Sequence, residues 1–277
     1  YRDQRGEDDD WLRAHIIDIA GDGAFVVAPG HQLRLQAELV AILGETSYAP
    51  SPEHPVHEIV QLAGLMRASW SGNTVPLSAE LDLGFFSGDG NLDDGRLTRF
   101  VSDKNFQQGL VLFPTVLAWQ TGRQRLTATV PEVLGYPPED LDRLATNGGV
   151  TSAVTVFPKF TVRPVKSFAL YTGVLLAWTP ADIPDPYLAR TLGGGAAYNA
   201  LGAKPQSRFL GMEFDLGVRL DVGAPVAGLR AQLVGEYGAF LPGGALVDAN
   251  GNASVVHAGR VSLILSAALN NQPKEGK

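Results

Sequence analysis

The chain has 277 residues, 45% of them hydrophobic and 18% charged, with a net charge of −7 and no cysteine. That length suits one large β domain or two ordinary ones, and the apolar content excludes wholesale disorder. The missing thiols exclude disulfides and thiolate chemistry. With no cluster of lysine or arginine, nucleic acid is not an expected partner. No apolar run reaches the length of a membrane helix.

The main signal along the chain is alternation with period two, in segments of ten to fifteen residues separated by turn chemistry. A less regular segment at 11–20 comes first. In 33–43, Leu33, Leu35, Ala37, Leu39, Ala41 and Leu43 oppose Arg34, Gln36 and Glu38. Weaker alternation covers 57–70. In 75–85, Val75, Leu77, Ala79, Leu81, Leu83 and Phe85 oppose Ser78, Glu80, Asp82 and Gly84. Residues 106–119 and 123–130 read either as a hairpin about Thr121 to Gln124 or as a segment tucked inside. Strands follow at 150–163 and 167–179. The clearest pattern is 210–222, where Leu210, Met212, Phe214, Leu216, Val218, Leu220 and Val222 alternate with Gly211, Glu213, Asp215, Gly217, Arg219 and Asp221. Segments 229–240 and 255–269 complete the series.

Strands of soluble sandwiches run to about five or six residues, whereas a tilted strand crossing a bilayer needs about 9–11. These segments have the membrane length. Their polar faces carry charges and glycines, as the wet interior of a barrel requires. Short links at 71–74, 164–166 and 223–228 alternate with long ones at 45–56, 87–105, 131–149, 181–207 and 241–254, the arrangement of outer-membrane barrels. Trp70, Trp119, Trp178 and Tyr237, near strand ends, read either as members of interface girdles or as residues that pack locally. The expected fold is therefore an all-β, transmembrane, antiparallel up-and-down β-barrel with about 10–12 strands in this chain. The expectation is a single domain over 1–277 with a polar tail at 270–277, located in the bacterial outer membrane with lipid as its partner.

Eleven strands, counting the uncertain hairpin, is an odd number, and the alternation places residues 1–10 outside the cell. A complete single-chain barrel has an even count. The sequence thus predicts that an N-terminal part of the barrel is supplied by another polypeptide or removed by processing.

Two stretches carry a family resemblance. Residues 84–94, GFFSGDGNLDD, followed by 105–113, NFQQGLVLF, resemble the SGD loop and following strand of alginate-export-like outer-membrane porins, particularly their larger myxobacterial-type branch. Residues 35–38 (LQAE), 146–153 (TNGGVTSA) and 211–215 (GMEFD) are similar to the same pattern. The resemblance covers most of the chain and matches the C-terminal portion of a longer family member. It implies an outer-membrane barrel, in the alginate exporters a channel whose arginine-rich lumen conducts an anionic polysaccharide. This chain departs from that pattern in charge. Its inward positives, Arg34, Arg67, Lys159, Arg163, Arg219, Arg230 and Arg260, are balanced by Glu38, Glu80, Asp82, Glu213, Asp215, Asp221 and Glu236. Nor does the segment 265–269 end on the aromatic residue usual for barrel insertion.

The lumen-lining charges have two readings, a ring that selects an anionic solute or cross-strand pairs that satisfy a polar wall. The equal counts favour pairing. Asp89, Asn91 and Asp93 alternate as in a calcium loop, but Asp94 stands at the turn-glycine position and Phe100 at the bidentate-glutamate position, so this is not an EF-hand. A calcium site in an external loop is one reading and an ordinary loop tip the other, and the sequence favours the tip. No cofactor is otherwise expected. His54 and His57 flank Pro55 without metal-ligand spacing for a full site. No G-x-S-x-G elbow or other nucleophile set appears, so no catalysis is expected. The functional expectation is a channel for hydrophilic solutes or an anionic polymer, with a barrel anchoring an envelope assembly for secretion, adhesion or motility as the alternative.

Overall fold

A computed structural model describes residues 1–5, 10–48, 54–72, 76–91, 94–128, 145–193, 197–222 and 229–267. The fold is all-β. The strands are β1 (Arg2–Arg5), β2 (Trp11–Ala28), β3 (His31–Thr46), β4 (His57–Gly72), β5 (Leu77–Phe86), β6 (Arg96–Leu97), β7 (Ala153–Val165), β8 (Phe168–Trp178), β9 (Phe209–Val222), β10 (Leu229–Pro242) and β11 (Val256–Ala267). Helix α1 (Ala118–Ala128) continues a π-helical turn at Leu112–Leu117, and α2 (Pro186–Gly193) lies between β8 and β9.

All eleven strands belong to one sheet, ordered β1-β2-β3-β4-β5-β7-β8-β9-β10-β11, with every neighbour on that path antiparallel. Strand β6 lies off the path, beside β4 and parallel to it. It continues where β5 stops, because β5 covers β4 only from Ala63 to Ser71 while β6 pairs at Glu58 and Ile59. The sheet is not closed among the described residues, since β1 and β11 are its two ends.

Each of the nine predicted alternating segments is a strand, 10 to 18 residues long. Strand β2 runs eight residues past the alternation at 11–20, through a glycine-containing stretch, and joins β3 by a two-residue turn. The suggested hairpin at 106–130 does not form. Residues 112–128 are helical instead, with Leu112, Phe113 and Leu117 buried against one face of the sheet, the other reading of that stretch, while Trp119 and Leu126 are exposed. The count of eleven is reached instead with β1 and β6, which are too short to show alternation. Pro138 to Leu144 and the polar tail lie outside the described residues.

The register gives the two faces opposite chemistry. On the outer face Leu39, Leu81, Leu216 and Leu263 are representative, and all are exposed. Leu39 is 56% exposed, Leu216 48% and Val261 79%. The apolar outer residues form a band that crosses the sheet, for example Ile19, Leu39, Gly64, Phe85, Val154 and Trp178 along one line of paired residues. A soluble protein rarely exposes so large an apolar surface.

The inner face carries the core. Val111, Leu112 and Phe113 are fully buried, packed with Ala63, Phe86, Phe157, Leu175, Leu210 and Phe240 of the wall. Burying a side chain such as Phe113 contributes about 1.5–3 kcal/mol, so this cluster fixes the inserted segment to the sheet.

Candidate functional site

The inner wall and the segment inserted against it form the candidate site. Glu213 is the hub. Its carboxylate is fully buried and accepts three backbone N–H groups, from Leu110, from Val111 at 2.7 Å and from Leu112 at 2.7 Å. A buried carboxylate without a cation requires such donors, and here they are the first free N–H groups of the helical segment. Gly109 makes this contact possible. Its φ is +74°, and a Cβ there would sit 2.7 Å from Glu213 Oε1. Gly238 serves the same end on the wall, where a Cβ would meet Val111 Cγ2 at 2.6 Å and Asp215 Oδ1 at 2.8 Å.

Two further bonds hold the segment to the same side. Thr155 donates its hydroxyl to Gln108 Oε1 at 2.7 Å, and Arg260 reaches Gln107 Oε1 at 3.4 Å.

Most of the sequence-predicted wall charges meet one another across strands. Arg67 Nε and Nη2 donate to the two oxygens of Asp82 at 2.7 and 2.8 Å, and Arg67 Nε stands 3.3 Å from Glu80. Lys159 reaches Asp82 at 2.9 Å and also pairs with Glu80. The side chain of Asp82 is 1% exposed, at the centre of this four-residue group spanning β4, β5 and β7. Arg260 donates to Glu236 at 2.6 Å, and the hydroxyl of Tyr171 donates to the other oxygen of Glu236. Arg34 pairs with Asp22 at 2.9 Å on the exposed stretch of the wall. Asp22 and Tyr171 were not among the predicted residues. The two-residue turn at Pro29 and Gly30 would have paired Arg34's strand with Asp22's.

The remaining predicted residues stand apart from these pairs. Glu38 is exposed on the same face as Arg67. Asp215 keeps a buried Oδ1, and Arg219 a buried Nε, without a hydrogen-bond partner. Arg230 is exposed near the end of β10, beside Asp221 and Gln232. Arg163 stands at an irregularity of the β7–β8 register, between Val162 and Val165, and its backbone N–H donates to Pro76, continuing the pairing of β7 with β5.

Of the proposed calcium ligands, Asp93 lies outside the described residues. Asp89 is almost buried and folds its own loop, accepting the N–H of Asn91 at 3.1 Å and of Thr98 at 3.0 Å. Burial raises the pKa of Asp89 above the ordinary aspartate value, with Asp94 adding to the shift and the backbone donors opposing it. Among the described residues, no group of three or more histidine, cysteine, aspartate or glutamate side chains could hold a metal ion.

Two cavities lie between the inserted segment and strands β2 to β5, about 600 and 210 Å³ in volume. The larger is bordered by Asp22, Gln36, Arg67, Asn105 and Gln107 and is hydrophilic enough to hold water or a polar solute. No protein-family model matches the chain, and no curated protein matches it.

Proposed function

We propose that this sheet is the wall of an outer-membrane β-barrel of the alginate-export-like porin type, passing hydrophilic solutes or an anionic polymer along its polar inner face without catalysing a reaction. The observation that carries the reading is the two-faced sheet. An exposed apolar band on one side and paired charges on the other are what a strand wall between lipid and water needs. The hydrophilic cavity beside the inserted segment supports passage.

A bilayer tolerates no open strand edge. Among the described residues, β11 pairs only with β10, and β2 beyond its pairing with β1 pairs only with β3. On this reading those edges are closed in the membrane by each other or by strands of a second polypeptide.

The inserted segment favours a second reading, a barrel that anchors a multiprotein envelope assembly and conducts only incidentally. Planar-bilayer recording of the purified protein separates the two. Stepwise conductance supports the channel, whereas protein that inserts and stays electrically silent overturns it and leaves the anchor. Solubility without detergent would overturn both.

A further inference from the structure

The inserted segment is fastened to the wall asymmetrically. Gln107, Gln108 and the amides of residues 110–112 bond to Arg260 of β11, Thr155 of β7 and Glu213 of β9. Its opposite side faces the two cavities along β2 to β5, and Glu38, Leu65 and Phe106 border both of them. The cavities therefore meet beside Glu38.

The charges around this gap are mostly cancelled. Asp22 is paired with Arg34, and Arg67 with Asp82 and Glu80. Asp103, bordering the smaller cavity, is turned to its own loop, where it accepts the N–H of Asn105 at 2.7 Å. Glu38 belongs to none of these pairs. It stands close to Val40, Ala63, Phe86 and Phe100, which also border the smaller cavity. Low-dielectric walls of that kind focus the field of a fixed charge into the gap.

We propose that this gap is the solute path and that Glu38 sets its charge preference, admitting cations and neutral hydrophilic solutes ahead of anions. The proposal rests on the channel reading above and narrows its substrate class. A polyanion threading the gap would meet at its junction a carboxylate that is in no ion pair among the described residues, the way acidic side chains in a pore repel anions.

The test is the reversal potential under a KCl gradient in planar bilayers, for the unaltered protein, Glu38→Gln and Glu38→Lys. Both substitutions are on an exposed wall position and leave the paired charges in place. The expected result is a cation-directed reversal potential that moves toward zero in Glu38→Gln and changes sign in Glu38→Lys. Channels with the same reversal potential in all three proteins, or an anion-directed one in the unaltered protein, would overturn the assignment. Inserted protein that conducts in none of the three overturns the channel reading itself.

Discussion

At the scale of single residues, Glu213 shows how one side chain can position a whole segment. Replacing it with alanine removes the acceptor from three amides that remain buried, at a cost of about 3 kcal/mol or more. The amides of Val111 and Leu112 should then exchange hydrogen about a hundredfold faster, the kinetic equivalent of that cost, while amides in the β2–β3 ladder keep their protection. Unchanged exchange at Val111 and Leu112 would show that packing alone holds the segment. The alternation of 210–222 had marked Glu213 as inward, but its role was not legible there. Its partners are backbone groups of residues about a hundred positions away, and amides carry no side-chain signature. Likewise Asp89 was visible as a loop residue, whereas its bonds to Asn91 and Thr98 follow from how the loop closes.

At the scale of elements, the four-residue group across β4, β5 and β7 ties three strands together. Asp82→Ala would remove the buried carboxylate that Arg67 and Lys159 share and leave Glu80 as their common partner, costing roughly 1.5–3 kcal/mol. A lower midpoint of thermal unfolding would report it. Adding Arg67→Met to that variant should recover part of the loss, because the two positions are coupled. Additive losses would mean that the ion pairing contributes little. The strands themselves were legible because each face meets one environment, so period two persists over long segments such as 33–43 and 210–222. Residues 110–117 have no such split, being packed on several sides at once, and their sequence therefore left hairpin and inserted segment undecided. The short strands β1 and β6 were equally hidden, since they make too few pairs to impose a pattern.

At the scale of the molecule, the outer face decides which solvent the fold requires. Leu216 is in the apolar band, exposed and flanked across strands by Thr172 and Tyr237. If that band meets hydrocarbon, Leu216→Arg lowers folding stability in lipid vesicles by about 2–4 kcal/mol. Gln36→Arg on the inner face should change it far less, and equal effects at the two positions would argue against a lipid-facing band.

The inserted segment also has an unusual attachment. It departs after Phe86 and returns at Ala153, and those two residues are already direct partners in the β5–β7 ladder. The whole excursion is therefore a cassette carried on a single hairpin connection. Its length can change without altering the β5–β7 register, although β6, which it carries, also pairs with β4, so a shortened version that keeps β6 leaves the pairing of the sheet intact.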